Sequence, residues 1–248
     1  MLGLLAFCAK ASGKSNGSKR SLSDIDARLC SADRQPHAIL RAFGARPLPC
    51  SVAPELYAIL LTICVRAGMN RVPMLFLLPV PGMNAFALGA PNDACISVTE
   101  ELLRGLSREE IESILAHEVA HILHRDTGAM TWAAALQSEI ASSALRGIAE
   151  LMARPSDFFR PERHVTLLTA APILARLLFF ALSRTRELAA DAMALDLIGH
   201  PEALAAALCK LEYFDTGQSP LHAHLKEDAL SASWRSHPGT WERIFRLA

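Results

Sequence analysis

Two histidines and a glutamate in the run HEVAH, residues 117–121, are the side chains best suited to chemistry in this chain. At 3.6 residues per turn, His117 and His121 lie on one side of a helix, about 6 Å apart along its axis, so both imidazoles can reach one metal ion. Glu118 follows the first histidine and can reach a water molecule bound to that ion. This spacing is a signature of zinc metalloproteases, in which the glutamate is the general base. The motif therefore predicts a zinc site and a hydrolytic reaction.

The residues around the motif predict the helix that it requires. Ser107 and Glu110 form a capping-box pattern, with Ser107 as N-cap and Glu110 at the third helical position. An unpaired imidazole in a buried helix is costly, so His117 and His121 need partners. A metal ion is one solution, and a pair of core histidines that donate to backbone carbonyls is the alternative. Apolar residues at helical spacing predict the buried face: Ile111, Ile114, Leu115, Val119, Ile122 and Leu123.

A third metal ligand is needed, because catalytic zinc usually has three protein ligands and an open position for water. A histidine six residues beyond His121 would complete one known pattern, but Thr127 occupies that position. Further along the chain, Glu187 and Asp191 are again four residues apart, within a helix expected from about Leu177 to Ile198.

Two interpretations of this acidic pair fit the spacing. One carboxylate could bind the metal while the other accepts the N–H of a ligand histidine. Alternatively, the pair could lie on a solvated face, with Arg184 and Arg186 as its partners.

Short strands and a helix are expected to precede the HEVAH helix. The helix is predicted from Glu55 to Ala67, and the strands from Pro73 to Val80, from Asn84 to Leu88 and from Ala94 to Val98. A small sheet followed directly by the metal-binding helix predicts an α+β fold that is mainly helical.

Residues 1–50 are expected to form an N-terminal extension that is partly flexible. Residues 11–20 are rich in Ser, Gly and Lys, a helix is predicted around Asp24 to Phe43, and Pro47 and Pro49 mark the boundary.

Composition excludes some classes of function. A net charge of zero and a pI near 7.1 give no electrostatic basis for binding nucleic acid. The six cysteines form no CxxC pair, which favours a reducing compartment over a disulfide framework. The mean hydropathy of +0.23 is high for a soluble protein.

Five segments resemble the HtpX-like and CAAX-prenyl-protease family of gluzincins and occur in that family's order. The resemblance implies a zincin-like metallopeptidase domain over residues 51–248, with a helical hairpin inserted at about 127–183. The segments are PELYAILLTICVRAG, GMNAFALG, HEVAHILHRD, SRTRELAAD and SHPGTWERI.

The resemblance also implies a role for each matching residue. His117, His121 and Glu187 would bind one zinc ion per chain, Glu118 would be the general base, and Asp191 would accept a hydrogen bond from a ligand histidine. Asn84 would lie beside the substrate backbone on the edge strand. His237 and Arg243 would help to stabilise the transition state and support the site.

These roles predict a zinc metalloendopeptidase in which Glu118 activates a zinc-bound water. A peptide added along the Asn84 strand would be held mainly by its backbone, so unfolded or membrane-associated polypeptides are the expected substrates. The alternative is a catalytically idle zinc protein that acts as a chaperone-like or regulatory binder.

Family members are commonly integral membrane proteins, which implies a membrane-associated chain with a cytoplasmic active site; the alternative is a soluble cytoplasmic protein. The stretch Val165–Ser183 is apolar and long enough to span a bilayer, with one charge at Arg176 and one kink expected at Pro172. Its partner, about Gly128 to Leu145, is more polar, and a basic loop between them resists translocation. The hairpin could therefore lie on or partly in the bilayer, or both segments could be buried protein helices.

Overall fold

The computed structural model of the chain describes residues 36–154, 161–217 and 238–247. It has a small four-stranded sheet and a larger set of helices, so the predicted α+β class is confirmed. The strands are β1 (Arg46–Pro47), β2 (Met74–Leu78), β3 (Ala85–Leu88) and β4 (Cys95–Thr99). The helices are α1 (Pro36–Ala42), α2 (Pro54–Arg66), α3 (Glu100–Gly105), α4 (Arg108–Leu123), α5 (Asp126–Ala153), α6 (Pro161–Ile198), α7 (Pro201–Thr216) and α8 (Thr240–Leu247).

The sheet has the strand order β1-β2-β4-β3. Strands β2 and β4 are parallel, while β1 and β3 pair antiparallel with their neighbours. Strand β4 is buried along its whole length, as expected for a strand with helices over both faces of the sheet. Strand β3 is an edge strand, so one of its sides is available for another strand. It is also the strand that packs most closely against α4.

Helix α4 runs through the centre of the main core. Its residues Ala116, Val119 and Ala120 are completely buried, so only small or β-branched side chains fit against the surrounding elements. Apolar side chains of α2, β2, β4, α6 and α7 pack around it, among them Leu60, Ile63, Leu75, Ile96 and Leu204. The HEVAH motif therefore lies on a largely buried helix.

A second apolar cluster covers the opposite face of the sheet. Leu40 of α1 packs there with Phe76, Phe86 and Leu88 of the strands. Residues 36–48, which belong to the predicted N-terminal extension, thus contribute a helix and a strand to this fold. The rest of that extension, residues 1–35, lies outside the described residues.

Helices α5 and α6 pack against each other as a helical hairpin, and α6 is one continuous helix through Pro172. Of the residues that the structure describes, one helix is long and apolar enough to span a membrane, from Arg163 to Ile198, and the apolar window within it is only 11% buried. The alternative in which both segments are buried protein helices does not hold in the described structure, because most residues of 128–145 are also half-buried or exposed. The large apolar side chains exposed on the hairpin are Trp132, Leu136, Leu145, Met152, Val165, Leu167, Ile173, Leu174, Leu178 and Leu182.

Candidate metal centre

The start of α4 confirms the predicted capping box. The Ser107 hydroxyl accepts a hydrogen bond from the backbone N–H of Glu110 at 3.3 Å, and the Glu110 carboxylate accepts one from the backbone N–H of Ser107 at 2.6 Å. Lys210 of α7 donates to the same carboxylate at 2.7 Å, so the buried charge of Glu110 is paired. These contacts fix the rotation of α4, and with it the direction of the motif about two to four turns later.

His117 and His121 point their Nε2 atoms towards each other from successive turns of α4. The two Nε2 atoms are 3.0 Å apart, and the rings are perpendicular. Glu187 reaches the same point from α6, with carboxylate oxygens 3.5 Å from His117 Nε2 and 3.7 Å from His121 Nε2. One atom from each of the three side chains lies within 4.8 Å of the other two. The structure thus brings together the three residues predicted to be ligands.

The other ring nitrogen of each histidine contacts a buried carboxylate. His117 Nδ1 lies 2.9 Å from Asp191 Oδ1, and His121 Nδ1 lies 2.7 Å from Asp126 Oδ2. Each Nδ1–H therefore donates to a carboxylate, and in the neutral tautomer each Nε2 presents its lone pair to the shared point. The expectation that these histidines donate to backbone carbonyls is wrong.

The close approach of the two Nε2 atoms favours a positive charge between the rings. Burial opposes protonation of His117, but its hydrogen bonds to Asp191 and Glu187 outweigh burial and raise its pKa from 6.5 to about 9. Burial and the neighbouring His117 charge lower the pKa of His121 from 6.5 to about 4. Two facing lone pairs repel each other unless a proton or a metal ion lies between them. Two imidazoles and one carboxylate are a donor set that suits zinc, so the residues present fit the metal that the sequence predicts.

The acidic pair on α6 is buried. Glu187 is 8% exposed and Asp191 is 3% exposed, so the interpretation of a solvated face is wrong. Arg186 does not neutralise either acid; it pairs with Asp126 instead. The carboxylates at i and i+4 face the two histidines because α6 packs lengthwise against α4.

Arg243 binds the carboxylate of Asp191 through two hydrogen bonds. Its Nε donates to Oδ2 at 2.7 Å, and its Nη2 donates to Oδ1 at 2.6 Å. Its Nη1 lies 3.7 Å from Glu187 Oε2. Arg243 therefore contacts both acidic residues of α6. The predicted His237 lies outside the described residues.

A cavity of about 200 Å³ opens beside the histidines. Glu118 lies in its wall and is 6% exposed, next to the three clustered side chains. The remaining walls come from β3, from the base of the α5–α6 hairpin, from α7, and from Arg243 of α8. Glu118 and the three clustered side chains therefore face the same space.

The β3 edge forms one side of this cavity. Asn84, directly before β3, accepts a hydrogen bond from the backbone N–H of Thr99 at 3.0 Å, so its carbonyl points towards β4. Because antiparallel pairing alternates, the backbone groups of Ala85 point towards the cavity. Thr127 of α5 donates to the carbonyl oxygen of Ala87 at 3.4 Å, which covers the edge two residues further along. The structure thus places Asn84 in the cavity wall and Ala85 at its open edge.

Asp126 was not identified from the sequence. It is 5% exposed and lies at the start of α5, where Arg125 has a left-handed backbone conformation with φ 57° and ψ 36°. This turn folds Asp126 back towards His121. The sequence offered one signal for this residue, the acid in HILHRD shortly after the motif. Helical spacing could not place it, because Asp126 lies beyond the turn that ends α4.

Residues 51–248 match peptidase family M48. The chain is 37% identical to a protease HtpX homolog of Acaryochloris marina over 228 residues, which cover 84% of this chain and 76% of that protein. It is 35% identical to protease HtpX of Legionella pneumophila over 232 residues, covering 84% of this chain and 80% of that protein.

The crystal structure of S. mikatae Ste24p has a similar fold. The TM-score is 0.53 at 23% sequence identity, and the match covers 77% of this chain and 49% of Ste24p. At this identity the likeness supports the fold alone. The family match and the two relatives carry the assignment: the chain belongs to peptidase family M48, a family of zinc metalloproteases, and is a protease.

Proposed function

We propose that this protease is a zinc metalloendopeptidase that hydrolyses extended segments of unfolded or membrane-associated polypeptides. The observation that carries the proposal is the convergence of His117, His121 and Glu187 beside Glu118 in one cavity. His117, His121 and Glu187 would hold one zinc ion. When bound, zinc acts as a Lewis acid that lowers the pKa of water towards 7 and polarises a carbonyl group.

Glu118 is the general base in this proposal. It accepts a proton from the attacking water as the water oxygen bonds to the carbonyl carbon of the substrate. It then delivers that proton to the amide nitrogen as the carbon–nitrogen bond breaks. The low exposure of Glu118 supports this role, because a carboxylate in a closed site transfers protons with little interference from bulk water.

The substrate backbone would add to the free edge of β3. The N–H and C=O of Ala85 point towards the cavity and offer one pair of hydrogen bonds to an extended chain. Recognition through backbone groups tolerates many side chains and requires an extended segment. Asn84 would contact the substrate backbone next to this pair.

Arg243 supports the site by fixing Asp191, and Asp191 fixes the Nδ1–H of His117. Direct stabilisation of the transition state by Arg243 or His237 stays a prediction. A catalytically idle zinc protein would need the same ligands but would have no use for Glu118, so hydrolysis separates it from the peptidase.

Removal of metal is expected to abolish proteolysis reversibly. A chelator such as 1,10-phenanthroline should stop casein degradation by the purified full chain, and added zinc should restore it, because the three ligand side chains remain in place. Metal analysis of the untreated protein should give about one zinc per chain, as the single cluster of His and acidic ligands among the described residues predicts. Casein degradation that persists in metal-free protein would contradict the proposal.

The hairpin is proposed to contact a membrane, with the active site on the cytoplasmic side. Its exposed apolar residues extend from α5 onto α6, and exposed basic residues Arg146, Arg154 and Arg163 lie near its tip. Apolar side chains of this size favour hydrocarbon over water, and arginines favour anionic lipid headgroups.

Charged substitutions on the hairpin are expected to weaken membrane binding. Leu174 and Leu178 are 58% and 70% exposed, one turn apart on α6. Replacing both by glutamate should greatly reduce flotation with anionic lipid vesicles, because an acidic residue at the centre of a membrane segment costs about 2.5–3.5 kcal/mol. Leu61→Glu, at an exposed leucine on α2, is the matched control. Equal flotation of the double variant and the control would contradict membrane contact through the hairpin.

A further inference from the structure

The two histidines of the proposed zinc site have matching surroundings. Each directs Nδ1 to one buried aspartate, and each aspartate is bound by one arginine from another part of the chain. The two sets are His117–Asp191–Arg243 and His121–Asp126–Arg186. Asp191 of the first set was predicted from its spacing to Glu187 on α6. Asp126 and Arg186 of the second set have no role among those described above.

Asp126 has both carboxylate oxygens engaged. Oδ2 accepts from His121 Nδ1 at 2.7 Å, and Oδ1 accepts from the guanidinium of Arg186. Its side chain is 6% exposed, so an unpaired charge here would be costly. Because Asp126 binds the ring nitrogen that faces away from Glu187, it is an outer partner of His121 and not a fourth ligand.

Arg186 links the end of α4 to α6. Besides pairing with Asp126, it donates from Nη2 to the backbone carbonyl of His124 at 2.8 Å. A cation at this position also interacts favourably with the negative end of the α4 dipole. Arg186 precedes Glu187 directly in the sequence, so one short stretch of α6 provides both a candidate ligand and the anchor of the second aspartate.

We propose that Asp126 is a positioning residue for His121, and that Arg186 acts through Asp126 by fixing its carboxylate. Asp126 holds the Nδ1–H tautomer of His121 and the orientation of its ring, so that the Nε2 lone pair faces the shared point. This inference rests on the proposed zinc site. The turn at Arg125 would then have a function, because its left-handed backbone places Asp126 within reach of the His121 ring.

Zinc affinity is the decisive measurement, because an Asp126–Arg186 pair that only joined α5 to α6 would leave it unchanged. Loss of an outer partner of a ligand histidine typically weakens metal binding about 10–100-fold. Asp126→Asn should therefore bind zinc about 10–100-fold more weakly in competition with a chromophoric chelator. The visible spectrum of the cobalt-loaded protein should also shift, since the ring of His121 is reoriented.

Asp196→Asn is the matched control, since Asp196 is exposed on α6 away from the cavity. It should retain the affinity and cobalt spectrum of the wild type. Circular dichroism and thermal unfolding of the metal-free proteins establish that the variants are folded. If Asp126→Asn does not fold, Arg186→Lys serves instead: it keeps the positive charge, removes the planar contact with Asp126, and should still weaken zinc binding measurably.

The results separate this inference from the proposed function. A wild-type chain that binds no zinc would overturn the zinc site itself. A wild type that binds zinc, with a folded Asp126→Asn or Arg186→Lys variant of equal affinity and identical cobalt spectrum, would overturn only the positioning role.

Discussion

The substitution Glu118→Gln is expected to lower casein hydrolysis by about 10²–10⁴-fold, the usual contribution of a general base. Glutamine keeps the size and shape of the side chain, but its amide cannot accept a proton from water at neutral pH. Glu118 lies in the cavity wall and is not one of the three clustered ligand side chains, so zinc content should remain near that of the wild type. The expected result is a folded, zinc-containing and inactive protein.

Glu109→Gln is the control for this experiment. Glu109 is an exposed glutamate on the same helix, more than two turns before the motif, and the substitution removes the same charge without reaching the cavity. Its activity should equal that of the wild type. If Glu118→Gln retained full activity, Glu118 would not be the general base, and a role for the chain that needs no hydrolysis would become the better explanation.

The sequence predicted the local parts of this structure well. Ser107 and Glu110 fixed the start of α4 because capping depends on residues three apart in the chain. The predicted strand from Asn84 to Leu88 and the observed β3, Ala85–Leu88, differ by one residue. Strand order was less accessible, because the parallel pairing of β2 with β4 depends on contacts between residues distant in sequence.

The environment of Glu187 and Asp191 could not be predicted from their local sequence alone. Their spacing fitted both a ligand pair and a solvated face, and only the packing of α6 against α4 buries them beside the histidines. The same spacing argument gave Arg186 the wrong partner. Its guanidinium binds Asp126, which a tight turn brings back to the motif.

The kink predicted at Pro172 lies within a continuous helix, because α6 runs from Pro161 to Ile198 without a break. A proline removes one backbone hydrogen bond and strains the preceding turn, but a long helix with neighbouring turns intact can retain its direction. The apolar stretch and the acidic pair are therefore parts of one continuous helix, which connects the proposed membrane surface to the site.

Glu187→Gln is expected to remove most zinc binding, the second large effect. The carboxylate of Glu187 is the one negatively charged group in the cluster of three ligand side chains, with oxygens 3.5 and 3.7 Å from the two Nε2 atoms. A neutral amide is a much weaker metal ligand than a carboxylate. Zinc affinity should therefore fall by more than the roughly 10–100-fold that follows the loss of an outer partner. Casein hydrolysis should be lost with the metal.

The metal-free form of this variant should still fold, because glutamine fills the same volume and retains hydrogen-bonding capacity. Chelator competition on the purified full chain measures the affinity, and Asp196→Asn on the same helix is the control for loss of one acidic charge. In the Glu118→Gln variant activity is lost while zinc is retained, whereas in Glu187→Gln both are lost. A Glu187→Gln variant that bound zinc as tightly as the wild type would remove Glu187 from the ligand set and require another third ligand.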